Sequence, residues 1–348
     1  PRIKPMNNQT EYRIKNVAVT LYAFQFRTGF GEAADAPLLW ENLENAGETL
    51  FIPELQRIRE KLICYKDGQY RPELETGDRR PSPLPLLRHP EDRLEFGPIS
   101  RGGKLSFSGS LIPVRLHDAY AADLTLACNN EMDVSQLSQF NLRGCLLPKR
   151  IQASLGQTLI LYAEPSHGTK PDRKLADECI SAFLKDSDDL IPKFGKAGKI
   201  FGSHLFEYEN ETFDPRKRLH IWVWLNENPQ AAELLEEMYD EFTNLLLCRN
   251  KIFFAYHESA YCFRNARNIY EELENRSKGL DNLLNKDREE RLKKLEPLLA
   301  EMPSASVDYD RHIRDMEDHS TTIGVNAENY MNSLDKISSQ KLPEDDMT

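Results

Sequence analysis

The sequence of 348 residues has few of the features that usually identify what a protein does. It has no apolar run near the ~18 residues that a membrane-spanning helix needs. Its six cysteines include no CxxC pair, which predicts reduced thiols in a cytoplasmic protein and no disulfide or zinc framework. Its 45 basic residues are outnumbered by 56 acidic ones. We therefore expect no nucleic-acid partner, because phosphate binding requires concentrated positive charge.

Catalytic signatures are also missing, since the chain has no GxSxG, HExxH or EF-hand sequence. Two basic glycine-containing segments, 101–104 and 195–199, depart from the phosphate-loop templates and predict hairpin turns. His117, Asp118 and Tyr120 form a polar cluster between two strand-like segments. We interpret this cluster as a local turn, with a binding pocket or acid/base pair as the alternative, because adjacent residues of a strand point to opposite faces. The sequence thus predicts no enzyme and no bound cofactor.

Residues 1–227 predict an α/β or α+β domain built on a mixed sheet. Residues 17–26 are dense in β-branched and aromatic side chains, which indicates a buried strand. Further strands are predicted at 109–115, 124–128, 157–163, 199–208 and 218–224, and helices at 53–64 and 171–185. Residues 67–98 are rich in proline, arginine and glutamate and predict a long loop or an ordered insertion.

Residues 228–340 predict an elongated three-helix stalk, followed by an acidic tail at 341–348. The first helix would begin with Asn228 as N-cap and Pro229 at N1, and its length of about 47 residues would give roughly 70 Å. A leucine-rich middle helix at 280–299 would be kinked by Pro297 and ended by Pro303. Heptad seams predict helix packing and self-association. The first seam includes Tyr256, Ser259, Phe263, Ala266 and Tyr270, and the last includes Tyr309, Ile313, Met316, Ser320, Ile323, Ala327, Tyr330, Leu334 and Ile337.

Arg249 occupies a seam position of the first long helix where an apolar residue is expected. One interpretation is a buried arginine that pairs with a carboxylate and fixes the helix register. The other is a small roll of the helix that lets the guanidinium group reach solvent.

A stripe of possible metal ligands follows the last seam. Asp308, His312, Asp315 and His319 repeat at four-three-four spacing, so they share one helix face, and Asp318 adds a carboxylate beside them. Imidazole and carboxylate groups bind divalent cations, and two facing subunits would complete a coordination shell. The alternative is a solvated polar face with acid–histidine pairs.

The arrangement of an α/β unit, a long helix, a leucine-rich return helix and a final long helix resembles the cytoplasmic portion of the CorA-type magnesium channel family. Two segments carry the resemblance, NLLLCRNKIFFAYHESAYCF at 244–263 and VDYDRHIRDMEDHSTTIGVNAENYMNSLDKI at 307–337. In the second segment, Tyr309 and the run 314–319 are similar to the aromatic residue and Arg-Asp-x-x-Asp/Glu-His run found in that family.

This resemblance implies the regulatory or sensor part of a divalent-cation channel or transporter at the cytoplasmic face of a membrane. It also implies a homo-oligomer, expected to be a pentamer, with Mg²⁺ as a regulatory ion held by aspartates between subunits. The family's Gly-Met-Asn signature and membrane helices are not in this sequence, so the membrane would be reached through another segment, and conduction is not assigned to these residues. The residues alone also fit a soluble interaction or signalling protein with a ligand-binding α/β domain and partner-binding helices.

Overall fold

A computed structural model describes residues 12–27, 36–75, 83–101, 105–187, 191–283 and 288–340. The strands are β1 (Arg13–Phe26), β2 (Tyr65–Lys66), β3 (Gln69–Tyr70), β4 (Leu84–Pro85), β5 (Leu94–Arg101), β6 (Leu105–Leu116), β7 (Ala119–Cys128), β8 (Met132–Asp133), β9 (Gly156–Pro165), β10 (Lys193–Ile200), β11 (Ser203–Glu209) and β12 (His220–Leu225). The helices are α1 (Ala36–Thr49), α2 (Ile58–Lys61), α3 (Pro148–Ile151), α4 (Arg173–Phe183), α5 (Ala231–Glu237), α6 (Tyr239–Leu283) and α7 (Arg288–Ser339).

Ten of the strands form one mixed sheet, in the order β10-β11-β12-β9-β1-β7-β6-β4, with β5 paired to β6 and β8 to β1. β9 and β12 run parallel, and the other described pairs of the sheet are antiparallel. β1 lies in the middle and is buried on both faces, because alternate side chains enter two different cores. Leu21 and Ala23 enter the first core, whereas Tyr22 and Phe24 enter the second.

The first core lies between the sheet and helices α1 and α4. Leu39, Trp40 and Leu43 of α1 are buried there at helical spacing. Asp172 is the N-cap of α4: its carboxylate accepts a hydrogen bond from the Leu175 amide at 3.1 Å.

The second core lies on the opposite face, where α5, α6 and α7 cover the sheet. Trp224 of β12 packs there with Phe242 and Leu246 of α6, and Ile337 near the end of α7 joins them. The Asn244 amide group donates to the Ser333 hydroxyl at 2.9 Å, which places the end of α7 beside the start of α6. The two helices are therefore antiparallel, and their 45 and 52 residues give lengths of roughly 70 and 80 Å.

Much of this hairpin extends beyond the sheet, and we call residues 256–283 of α6 with 288–322 of α7 the helical arm. Among the described residues, neither large core includes a side chain of this arm. On α6, over the part of the arm whose burial is described, Cys262 and Ala266 are the buried positions. Tyr256, Phe263 and Tyr270 were predicted in the seam and are instead 52–56% exposed. The face of α6 that packs in the arm is therefore rotated from the predicted seam, with small side chains inside and aromatic ones outside.

The mixed-sheet domain and the elongated helical part are confirmed, while the helices differ from the prediction in detail. The predicted middle helix at 280–299 is not a separate helix: 280–283 end α6, 284–287 lie outside the described residues, and 288–299 begin α7, which continues through Pro297 and Pro303. An interior proline costs a helix about 3 kcal/mol, so these two positions disfavour the helix in which they lie. The first long helix begins at Tyr239, because the short helix α5 precedes it and has its C-cap at Met238, where φ is −100° and ψ is 13°. Asn228 stabilises the turn before α5 by accepting from the Gln230 amide at 3.1 Å.

Several shorter elements also correct the sequence prediction. Residues 199–208 form a hairpin and not one strand, because Phe201 and Gly202 turn the chain with φ of 49° and 76°. Residues 195–199 belong to β10, where the pairing register shifts at a bulge, and are not a turn. The predicted helix at 53–64 is a 3₁₀ turn followed by the four residues of α2.

The segment 67–98 contributes β3, β4 and the beginning of β5, so the described parts of this predicted insertion belong to the fold. Residues 76–82, the glycine pair and Lys104 of segment 101–104, and the predicted tail at 341–348 lie outside the described residues. No helix in the described parts of the chain combines the length and the apolarity needed to cross a membrane.

Candidate functional site

A partly buried ion-pair network joins α6 to the outer strands of the sheet. The Arg249 side chain is 11% exposed and lies 2.5 Å from the Glu209 carboxylate and 3.4 Å from that of Glu207. Arg218 also pairs with Glu209. The Phe253 ring packs against both guanidinium groups: its centroid lies 3.5 Å from Cζ of Arg218 and 4.8 Å from Cζ of Arg249. Of the two interpretations of Arg249, the structure favours the arginine that pairs with carboxylates, although the side chain is largely and not fully buried.

His220 extends this network into the sheet. Its Nε2 lies 2.9 Å from the Glu207 carboxylate, and its Nδ1 lies 2.9 Å from the Thr158 hydroxyl. Burial, together with the nearby charge of Arg249, lowers the pKa of His220 to about 4, so the ring is neutral at neutral pH. Nε2–H therefore donates to Glu207, and Nδ1 accepts from Thr158. The bond from His220 is the main reason that the pKa of Glu207 is lowered to about 2.

A cleft of about 230 Å³ opens beside the network, between β10–β12 and the bases of α6 and α7. Its lining combines charge with aromatic surface, and includes Lys196, Lys199, Glu207, Trp222, Arg249 and Tyr330. Arg249 is balanced by its carboxylate partners Glu207 and Glu209, and Lys196 and Lys199 add positive charge to the wall of the cleft. Such a cleft suits a small anion with an apolar portion.

The cluster at 117–120 is divided between two roles. His117 and Asp118 form the predicted turn between β6 and β7, with His117 at φ 54°, and Asp118 pairs with Lys251 of α6. Tyr120 instead points into the domain, where its hydroxyl donates to the buried carboxylate of Glu75. The same carboxylate lies 2.8 Å from Arg27 and 3.2 Å from Arg115. Because cations surround Glu75, this second network is suited to holding strands together.

The structure places the five predicted metal ligands on α7, within the helical arm. Asp308, His312, Asp315 and His319 are partly buried, whereas Asp318 is exposed. Asp308 pairs with Arg311 of its own helix at 3.2 Å. His312 and Asp315 meet on the face that contacts α6, where they lie close to Cys262. The sequence interpretation missed Cys262, which comes from the other helix of the hairpin.

The three groups of this cluster have ligand atoms that all lie within 4.8 Å of one another. His312 Nδ1 is shielded from solvent and has no hydrogen-bond partner among the described residues. Burial raises the pKa of the Cys262 thiol, and the neighbouring carboxylates of Asp315 and Glu258 raise it further. The thiol therefore stays protonated unless a cation replaces its proton.

The helix register accounts for this meeting and is the signal that would have found Cys262. Asn244 lies opposite Ser333, so advancing eighteen residues along α6 and returning eighteen along α7 brings residue 262 opposite 315. The sequence interpretation placed a separate helix between these segments, and that placement hid the pairing.

No protein-family model, curated protein or solved structure matches this chain. The resemblance to the CorA-type family therefore stays a prediction, carried by segments 244–263 and 307–337. The geometry of the network, the cleft and the arm is the remaining basis for a functional interpretation.

Proposed function

We propose that this chain is the regulatory part of a CorA-like divalent-cation channel or transporter, acting at the cytoplasmic face of the membrane as a homo-oligomer. The observation that carries the proposal is the helical arm, whose two long helices leave the mixed sheet and return to it. A membrane attachment would come from a segment outside this sequence. The proposal assigns no catalysis to this chain.

Self-association through α6 is supported by the exposed aromatic side chains of the arm. Tyr256, Phe263 and Tyr270 repeat every seven residues, so they share one face of α6. A row of large apolar groups on a surface is typical of a protein–protein interface. We assign this face to contacts between copies of the chain, and the pentamer implied by the family resemblance is the expected assembly.

A regulatory ion is supported by the acidic side chains on α7. Asp308, Asp315 and Asp318 place three carboxylates within about three turns of one helix. Bringing several such helices together raises the repulsion between them, and a divalent cation between subunits would lower it. Mg²⁺ prefers oxygen ligands, so carboxylates of neighbouring chains suit it.

The arm is mechanically connected to the sheet through α6. This helix is continuous from Tyr239 to Leu283, and Arg249 near its base pairs with Glu209 and Glu207 of β11. A change in how the arms pack would therefore be transmitted to the sheet as a movement of one rigid helix. This connection gives the proposed sensor a route from the ion to the rest of the molecule.

Sedimentation velocity on chelator-treated protein, with and without millimolar Mg²⁺, tests the proposal. We expect an oligomer whose population increases with Mg²⁺. The variant Tyr256→Ser/Phe263→Ser/Tyr270→Ser should be monomeric, whereas Phe51→Ser, which changes a similarly exposed aromatic residue near α1, should behave like the unmodified chain. The variant Asp308→Asn/Asp318→Asn should respond less to Mg²⁺.

A monomeric unmodified chain at high micromolar concentration, with Mg²⁺ and without it, would contradict the proposal. The second candidate, a soluble signalling protein with a ligand-binding domain, is favoured by the cationic cleft beside Arg249. In that case, inorganic phosphate or a nucleoside phosphate should raise the melting temperature of the monomer by binding the folded state.

A further inference from the structure

The helical arm contains a set of side chains whose combined chemistry differs from that of a magnesium site. Cys262 of α6 faces His312 and Asp315 of α7, and the three ligand atoms lie within 4.8 Å of one another. His312 and Asp315 are three residues apart, so one face of α7 presents both. A thiol, an imidazole and a carboxylate therefore converge from two helices on one point.

The spacing of these groups suits a small tetrahedral cation. Zinc ligands lie at about 2.0–2.3 Å from the metal, which places neighbouring ligand atoms roughly 3.3–3.8 Å apart. Ligand atoms that start within 4.8 Å of one another would reach this geometry by small side-chain rotations.

His312 supplies an independent observation that points to a ligand. Its Nδ1 is removed from solvent and finds no hydrogen-bond partner in the described part of the chain. A buried ring nitrogen without a partner costs about 1–3 kcal/mol of desolvation free energy. A cation bound through Nδ1 would satisfy this nitrogen, and Cys262 and Asp315 are ligand-bearing residues that lie close enough to His312 to share that cation.

A second cluster of potential ligands serves as an internal comparison. Glu207, Glu209 and His220 also lie within 4.8 Å of one another. Arg249 contacts both of those carboxylates, and both nitrogens of His220 have partners. Positive charge is already present in that cluster, whereas the arm cluster has a histidine nitrogen that is still unsatisfied.

We propose that Cys262, His312 and Asp315 bind one zinc ion, or a divalent transition metal of similar preference, with solvent at the fourth position. Thiolate and imidazole ligands select zinc over magnesium, which requires oxygen ligands. On coordination, the Cys262 thiol releases its proton to solvent. The ion would fasten α6 to α7 within one chain, so this inference does not depend on the proposed channel function or on assembly between chains.

Isothermal titration of the chelator-treated full chain with ZnCl₂ and with MgCl₂ tests the proposal. We expect one zinc per chain, and Co²⁺ used as a spectroscopic probe should give a thiolate-to-cobalt charge-transfer band. Cys262→Ser and His312→Gln should each weaken zinc binding at least about tenfold, because loss of a direct ligand exceeds the loss caused by removing an outer partner. Cys262→Ser should also abolish the cobalt–thiolate band.

The matched controls lie on the same two helices. Cys248→Ser changes another buried thiol of α6, and His319→Gln changes the histidine one heptad further along α7. Both should bind zinc like the unmodified chain. The proposal is overturned if the unmodified chain binds no stoichiometric zinc, or if Cys262→Ser and His312→Gln bind it as tightly as the controls do. Should Cys262→Ser fail to fold, the His312→Gln titration and the cobalt spectrum of the unmodified chain still decide the outcome.

Discussion

The substitution Arg249→Met tests whether the partly buried ion-pair network fastens the long helices to the sheet. Methionine keeps an unbranched apolar side chain against Phe253 and removes the guanidinium group. It therefore breaks the pairs of Arg249 with Glu209 and Glu207 while leaving much of the packing in place. We expect a clear loss in the free energy of unfolding.

The magnitude follows from what each carboxylate retains. Removing one partner of a buried ion pair costs about 3–5 kcal/mol, because a charge is left without compensation. Glu209 keeps Arg218, and Glu207 keeps its hydrogen bond from His220. Neither carboxylate is fully uncompensated, so we expect a loss of about 2–3 kcal/mol, at or below the lower end of that range.

Urea unfolding followed by circular dichroism measures this loss through the shift of the transition midpoint. Arg267→Met on the same helix is the matched control, since Arg267 pairs with Glu271 at 2.9 Å on the exposed surface. Exposed pairs contribute about 0–1 kcal/mol, so the control should change little. An Arg249→Met loss no larger than that of Arg267→Met would refute the role assigned to the network. Combining Arg249→Met with Glu209→Gln should give less than the sum of the two losses, because the residues share an interaction.

Two further predictions concern buried charges. Folding lowers the pKa of His220 from 6.5 to about 4, so the folded state loses up to about 3 kcal/mol of stability as pH decreases from 6.5 to 4. Folding lowers the pKa of Glu207 from 4.5 to about 2, so a further loss of stability begins as pH falls below 4.5. Asp123 acts oppositely, since burial raises its pKa to about 6 and its contribution to stability grows as pH falls from 6 to 4. Asp123→Asn should therefore steepen the loss of stability between pH 6 and 4 in urea titrations, and parallel curves would contradict this assignment. Glu75→Gln should cost about 3–5 kcal/mol in thermal unfolding, because Arg27 and Arg115 lose their shared carboxylate. The control Glu131→Gln weakens an exposed pair with Arg13 and should cost less than about 1 kcal/mol. Similar costs for the two variants would argue against a stabilising role for Glu75.

The strands that cross the centre of the sheet could be predicted because burial on both faces leaves a direct record in composition. β1 has β-branched and aromatic residues on both sides, and the sequence of residues 17–26 shows this without any tertiary information. Helix α1 was missed although Leu39, Trp40 and Leu43 have helical spacing. One position of α1 depends on tertiary contact: the helix passes so close to Leu55 that a Cβ at Gly47 would lie 2.9 Å from the Cβ of Leu55.

The long helices show where local patterns stop being informative. Proline usually ends a helix, yet α7 continues through both Pro297 and Pro303, so the prediction of a helix end at Pro303 was wrong. The seam predicted for α6 was also misplaced: Phe263, predicted inside, is exposed, and its neighbour Cys262 is buried. That choice depends on how closely α7 approaches, which a single helix sequence does not record.

The sequence predicted only the part of the candidate site that lies on one helix. The stripe on α7 correctly brought His312 and Asp315 together, because both lie on one helix and spacing alone decides their neighbourhood. Cys262 belongs to the facing helix, and only the register set near Asn244 and Ser333 brings it to them. Arg249 was recognised as unusual from its seam position, but its partners on β11 required the fold.

The proposed zinc site lies on the same helix as the Arg249 network and shares ligands with the proposed magnesium site. Arg249 and Cys262 are thirteen residues apart on one continuous helix, a separation of roughly 20 Å. A zinc ion at Cys262 would use His312 and Asp315, which were also predicted as ligands for an ion between subunits. Zinc would then leave the carboxylates of Asp308 and Asp318 for magnesium. The variant Asp308→Asn/Asp318→Asn therefore separates the two ions, because it removes carboxylates from the proposed interface between chains and leaves the three proposed zinc ligands of each chain unchanged.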